Sequence, residues 1–148
     1  MAKVNSKTHT HPDRDILFMH LKKSGLKLTK PRKAILDVLI SDHGPFTAEE
    51  IYKRISKKSC DLVTIYRNIS SLGDIGLLRR CDFGDSIARY EIADLGLNHH
   101  HHIICTSCNK VEPLDDCDLE NINHIAKKRG YKHVTHSLEF FGICSDCE

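Results

Sequence analysis

Two Cys-x-x-Cys pairs, Cys105-Thr106-Ser107-Cys108 and Cys144-Ser145-Asp146-Cys147, stand 35 residues apart, and they constrain the fold more than any other feature of the sequence. Each turn aims two thiolates at one point, and two such turns complete the tetrahedral four-thiolate shell that suits zinc. The stretch between them is far longer than in a compact zinc finger, so a metal there should close a strand–helix–strand unit. Structural zinc contributes on the order of 10 kcal/mol to folding, which offsets the small core of so short a domain. A redox Cys-x-x-Cys occurs singly and opens a helix after a strand; here the motif occurs twice, each time at the end of an expected strand. Seven cysteines is an odd total, and their grouping reads as metal rather than disulfide in an intracellular chain. Cys60, Cys81 and Cys117 are expected to be ordinary buried or surface thiols.

A chain of 148 residues, 40% hydrophobic and 28% charged, fits one ordinary domain or two very small ones. The net charge of +2 hides an asymmetry: residues 1–90 hold 17 Lys+Arg against 10 Asp+Glu, giving +7, and residues 91–148 hold 5 against 10, giving −5. A basic half followed by an acidic, His/Cys-rich half suggests a phosphate-binding module joined to a metal module. There is no apolar run of membrane-spanning length and no signal-peptide pattern at the N-terminus, so the expected location is the cytoplasm.

Residues 1–12 are polar and expected to be a disordered arm. A first helix is predicted from Asp13 to Ser24 and a second from Thr29, with Pro31 in its first turn. Thr47-Ala48-Glu49-Glu50 has capping-box spacing and opens a third. The fourth, from Leu62 to Ile75, carries Ile65, Ile69 and Leu72 as its buried stripe, which leaves Arg67, Ser70 and Ser71 opposite and Thr64, Tyr66 and Asn68 on the flanks. Leu77–Asp82 and Ile87–Ile92 then read as a hairpin around Phe83-Gly84-Asp85-Ser86. Helices followed by a two-stranded ribbon predict a winged helix, a helix-turn-helix variant, over residues 13–92. A linker over 93–98 leads into a metal-binding domain over 99–148. Its expected elements are strands at His99–Cys105, Lys110–Leu114 and Tyr131–Ile143, with a helix from Asp118 to Arg129. The expected class is therefore α+β, a winged helix plus an α/β unit stapled by a four-cysteine zinc site.

Four of the eleven histidines are consecutive, His99 to His102, and lead straight into Cys105. Alternate side chains of a strand point to opposite faces, so His100 and His102 share one face and His99 and His101 the other. One run can thus seed two metal sites, and imidazole with carboxylate suits Zn, Fe, Ni or Mn. Glu91 at the end of the wing can serve the first face, and Glu120 and His136 the second. A lone inward His on a strand is more often a satisfied core residue; proximity to a His pair and a carboxylate shifts His136 toward ligation. His9, His11, His20, His124 and His133 read as surface residues.

Together these residues resemble the ferric uptake regulator (Fur) family of bacterial metal sensors. The matching stretches are Gly25-Leu26-Lys27-Leu28-Thr29-Lys30-Pro31-Arg32, Thr47-Ala48-Glu49-Glu50-Ile51-Tyr52 and Leu62-Val63-Thr64-Ile65-Tyr66-Arg67. Arg89-Tyr90-Glu91, His99 to Cys108, and His136 through Cys147 match as well. The resemblance implies that the linker over 93–98 is a hinge and that residues 99–148 are an α/β dimerisation domain, with structural zinc on Cys105, Cys108, Cys144 and Cys147. It implies a regulatory metal on Glu91, His100 and His102 near the hinge, and a further metal site on His99, His101, Glu120 and His136. It places Thr64, Tyr66 and Arg67 on the DNA, together with Lys30 and Arg32. This chain departs from the pattern in three places. Pro45 stands where the family has a regulatory-site His, leaving His43 nearby; Pro113 replaces a carboxylate beside Glu112; and His101 stands where many members have Asp.

The function implied is a homodimeric repressor that binds two-fold symmetric operator DNA when regulatory metal occupies the hinge. Ferrous iron is the expected metal, with Zn2+ or Mn2+ as other occupants of the site. Zinc-sensing members carry a cysteine near the linker and residues 93–98 hold none, which favours iron; zinc or peroxide sensing is the alternative within the family. From other classes, a zinc deaminase needs H-x-E with a later P-C-x-x-C and a zincin needs H-E-x-x-H. All are absent, so no enzyme is expected. A zinc adaptor that does not bind DNA is disfavoured by the winged helix and the basic half.

Overall fold

In the computed structural model, the residues described are 13–42, 44–55, 60–93, 95, 101–114, 120–132, 134, 136 and 138–148, with the side chains of 120–123 also outside the description. The expected N-terminal arm and most of the expected linker therefore lie outside the described residues, as do His43, His99, His100, Cys117 and His133. The described residues divide between two compact units, one within Thr10–Asn98 and the other within His99–Glu148.

The first unit runs α1 (Arg14–Lys23), α2 (Lys30–Asp42), α3 (Ala48–Arg54), α4 (Leu62–Asp74), β1 (Leu78–Asp82) and β2 (Ala88–Ile92). Apolar periodicity sets its core. Leu17 and Leu21 of α1, Ile35, Leu36 and Leu39 of α2, Ile51 of α3, and Ile65, Ile69 and Leu72 of α4 are all buried in one cluster. Leu77, Leu78 and Ile92 complete it from the hairpin.

The expected capping box is present: Glu50 N–H donates to Thr47 Oγ1 at 3.1 Å and Thr47 N–H to Glu50 Oε2 at 2.8 Å. At α4 the cap is Asp61, whose Oδ1 accepts the Thr64 N–H at 2.7 Å. The helix closes through Gly76 at φ 73°, a conformation that a Cβ would disfavour. His20, expected as a surface residue, is half-buried instead, its Nε2 2.9 Å from the Ile75 carbonyl.

β1 and β2 pair antiparallel, with Leu78 opposite Ile92 and Asp82 opposite Ala88. Phe46 adds a bridge to this ribbon, exchanging both backbone hydrogen bonds with Tyr90 at 3.0 and 2.8 Å. Helices α1 to α4 followed by this ribbon make the winged helix.

The second unit is a three-stranded sheet with one described helix. β3 (His101–Cys105) lies between β4 (Val111–Leu114), antiparallel to it, and β5 (Glu139–Gly142), parallel to it. A parallel pair needs a long crossover, and that connection contains α5 (Glu120–Lys128). The last strand is shorter than expected. Its ladder with β3 runs only from His102↔Glu139 to Cys105↔Gly142, and none of the described residues between Tyr131 and Leu138 is strand. Apolar alternation alone does not make a strand, and no strand ladder among the described residues includes these.

Candidate metal centres and nucleic-acid interface

Strand ends position the four thiols. β3 ends on Cys105, and the first knuckle closes with Asn109 N–H on the Cys105 carbonyl at 2.9 Å. Asn109 takes φ 59°, a left-handed conformation that Asn tolerates better than most residues. The second knuckle follows β5 and closes with Cys147 N–H on the Cys144 carbonyl at 2.9 Å. The parallel pairing of β3 with β5 carries both turns to the same end of the sheet, and the four sulfurs lie within 4.8 Å of one another. Cys108 and Cys144 Sγ are 3.8 Å apart. Two thiolates on one tetrahedral zinc stand roughly 3.8 Å apart, given Zn–S bonds near 2.3 Å, so the donor set fits that ion.

The electrostatics point the same way. The N–H groups of Cys108 and Cys144 lower the Cys105 thiol to about 6; the Cys144 N–H donates to its sulfur at 3.3 Å. At Cys144 the Asp146 N–H also favours the thiolate, but the neighbouring Cys105 sulfur, burial, Cys147 and Cys108 outweigh it and push the thiol up to about 12. Thiols this close resist ionising together, and a divalent cation is what lets all of them do so.

The histidine strand divides as its parity requires. His101 and His102 are adjacent in β3, both are buried, and they point to opposite faces. His101 Nδ1 lies 3.1 Å from the Leu138 carbonyl. A carbonyl only accepts, so Nδ1 carries the proton and Nε2 keeps its lone pair. That Nε2 is 3.3 Å from His136 Nε2, close to the separation of roughly 3.3 Å that two imidazoles take on one tetrahedral zinc. The structure thus brings two of the four residues expected at the further metal site together. Glu120 opens α5, but its side chain and His99 lie outside the description.

Glu91 is placed on β2, and its carboxylate is 1% exposed. Arg79, directly across the ribbon, is ion-paired with Glu91 Oε1. Cys81 donates its thiol proton to the same oxygen at 3.3 Å. Sequence reasoning passed over both neighbours. The signal was available in the hairpin register, which puts Arg79, Cys81, Arg89 and Glu91 on one face of the ribbon.

On the winged helix, the face of α4 opposite its buried stripe presents Tyr66, Arg67 and Ser70 as exposed residues, with Val63 and a half-buried Thr64 beside them. Tyr66 is anchored to α3, its hydroxyl donating to Glu49 Oε1 at 2.5 Å. That bond holds the Glu49 carboxyl below its usual range and raises the Tyr66 phenol. Lys30 is exposed at the start of α2, whereas Arg32 is half-buried, with Nη1 donating to the Lys27 carbonyl at 2.7 Å. Arg32 therefore braces the segment that leads into α2.

Residues 23–141 match the model of the ferric uptake regulator family. The chain is 35% identical over 131 residues to the peroxide-responsive repressor PerR of Staphylococcus epidermidis, covering 86% of this chain and 85% of that protein. Among solved structures it is similar to the Helicobacter pylori ferric uptake regulator Fur, which is described as having three functional metal binding sites. That match has a TM-score of 0.72 at 32% identity and covers 90% of this chain and 89% of that one. The Vibrio cholerae ferric uptake regulator is likewise similar, with a TM-score of 0.71 at 32% identity over 85% of this chain and 98% of that one.

Proposed function

We propose, since this chain belongs to the ferric uptake regulator family of metal-responsive, DNA-binding transcriptional regulators, that it is a homodimeric repressor switched by ferrous iron bound at its hinge. The observation that most supports the reading is Glu91, a fully buried carboxylate on the wing strand that follows the helix with the exposed Tyr66 and Arg67. A buried carboxylate is costly without a cation; the partly exposed Arg79 supplies one here, and a divalent ion can take its place. Glu91, His100 and His102, with His43 as a further donor, hold the regulatory metal. Cys105, Cys108, Cys144 and Cys147 hold structural zinc. His99, His101, Glu120 and His136 form a further site that supports the dimer.

The switch is a linkage. A metal that ties the wing to the dimerisation domain binds one inter-domain arrangement better than the others, so its occupancy raises the population that fits DNA. Two recognition helices related by a dimer axis then match two half-sites of a two-fold symmetric operator. Thr64, Tyr66, Arg67 and Lys30 meet the DNA, with Arg32 shaping the segment beside them. The role is binding rather than catalysis, and its place is the cytoplasm. No helix among the described residues is long and apolar enough to cross a membrane.

The first test is operator selection from random duplexes with untagged protein, with and without Fe2+. Enrichment of an inverted repeat only when iron is present supports the reading, and metal-independent binding overturns it. Peroxide sensing is the second reading, favoured by the repressor from Staphylococcus epidermidis. Adding hydrogen peroxide to the iron-loaded complex separates the two: release from DNA marks a peroxide sensor, and retention leaves iron sensing.

A further inference from the structure

We infer that Cys81 is a thiolate ligand of the regulatory metal, so that the wing supplies a sulfur–oxygen donor pair, Cys81 and Glu91, rather than a carboxylate alone. The inference rests on the hinge-metal reading above and deepens it by changing the donor chemistry of that site.

Two donors of different kinds converge. Cys81 Sγ and Glu91 Oε1 are 3.3 Å apart, both residues are buried, and both stand on the same face of the β1–β2 ribbon. Zinc bonds of about 2.3 Å to sulfur and 2.1 Å to oxygen at a tetrahedral angle would separate the two atoms by roughly 3.6 Å, a few tenths of an ångström from the observed spacing. The thiol proton lies between them and occupies the place a cation would take. On binding, the thiol gives that proton to solvent and the metal bridges the same two atoms. Arg79 supplies the compensating positive charge while metal is absent. Its side chain is 37% exposed, so it has solvent to turn into when a divalent ion takes over that role.

The metal preference follows. Thiolate favours zinc, and iron among the harder ions, over manganese, whereas a shell of imidazole and carboxylate alone accepts manganese readily. The absence of a cysteine from the linker then does not count against sulfur ligation, because the ribbon provides it.

The test is a Co2+ titration of the purified full-length dimer with its structural zinc in place, zinc content being measured throughout. The expected result is up to two further cobalts per chain, one at the hinge and one at the His101–His136 site, with a near-ultraviolet sulfur-to-cobalt charge-transfer band from the hinge cobalt alone and zinc unchanged. Cys81→Ser should remove the band and lower the preference for Zn2+ over Mn2+ by at least about tenfold, since losing even an outer-shell partner costs that much. The band should survive in a Cys60→Ser/Cys117→Ser double variant, which keeps the conclusion independent of whether Cys81→Ser folds. Cobalt that binds with ligand-field bands but no sulfur band overturns the role of Cys81 and leaves Glu91 and the histidines in place. No further cobalt bound while zinc stays overturns the hinge-metal reading, and this inference with it. A band lost in the double variant also overturns it.

Discussion

The two units of this protein hold themselves together by different means. In the winged helix, fourteen buried residues from four helices and a ribbon form one apolar cluster. In the sheet unit, Ile104 and Cys105 are the only buried hydrophobic residues among those described. Tyr131, Phe140, Phe141 and Ile143 there are between 45% and 69% exposed. Nearby, the four cysteine sulfurs lie within 4.8 Å of one another. One unit is stabilised by burial that its own sequence supplies; for the other, the proposal is that a zinc ion on the four thiols and a second copy of the chain supply what its own burial does not. On that proposal the DNA-reading part folds regardless of metal and the assembling part does not, a division that suits a sensor.

The largest effect should come from removing the staple. Cys105→Ser or Cys144→Ser should lose close to one zinc per chain and forfeit a contribution on the order of 10 kcal/mol. The sheet unit should unfold or become monomeric while the helical circular-dichroism signal of the winged helix persists. Retention of both zinc and dimer by the two variants would remove the contrast between the units.

Emptying the other core should do the reverse. Leu36→Ala, at a fully buried position of α2, should cost about 2–5 kcal/mol and lower the melting temperature of the winged helix with zinc content intact. Loss of zinc in this variant would mean that the units do not fold by separate devices.

Arg67→Ala should touch neither device. Its side chain is exposed on the face of α4 away from the buried stripe, so melting temperature and metal content should hold. Operator affinity should fall by about 1–3 kcal/mol if it reads a base, and competition with non-specific DNA separates a base contact from a phosphate contact. Unchanged operator affinity would remove Arg67 from the interface.

The smallest effect is expected at the capping box of α3. Thr47→Ala leaves the Glu50 N–H without its acceptor and should cost about 1 kcal/mol, read as a modest fall in denaturation midpoint. A change in zinc content would again break the comparison.

The winged helix was more legible in sequence than the sheet unit, for the same physical reason. Apolar residues at i, i+4 and i+7 in α4 and the Thr47 capping box are local signals, and each is found where its spacing puts it. The four-cysteine cluster was legible because Cys-x-x-Cys geometry is local and the only long-range step is the meeting of two knuckles. Other features depend on pairing at a distance. The final strand is confined to Glu139–Gly142 because its register with β3 decides where the ladder begins. The Phe46 bridge to Tyr90 and the anchoring of Tyr66 by Glu49 leave no periodic trace in the chain. That Cys81 lies beside Glu91 is not legible from spacing, because the two are ten residues apart along the chain and adjacent only across the ribbon.

The central claim is that one histidine strand serves two tasks, sensing on one face and assembly on the other. It is tested most directly by following metal-dependent operator binding, by fluorescence anisotropy, in His102→Ala and His101→Ala side by side. Dimer mass and zinc content are measured on the same samples. The account predicts that His102→Ala abolishes the metal dependence with zinc and dimer retained. His101→Ala, which loses the imidazole 3.3 Å from His136, should keep the metal dependence and weaken the dimer. Indistinguishable metal dependence in the two variants would contradict the account and reduce the run to a single undifferentiated chelating patch.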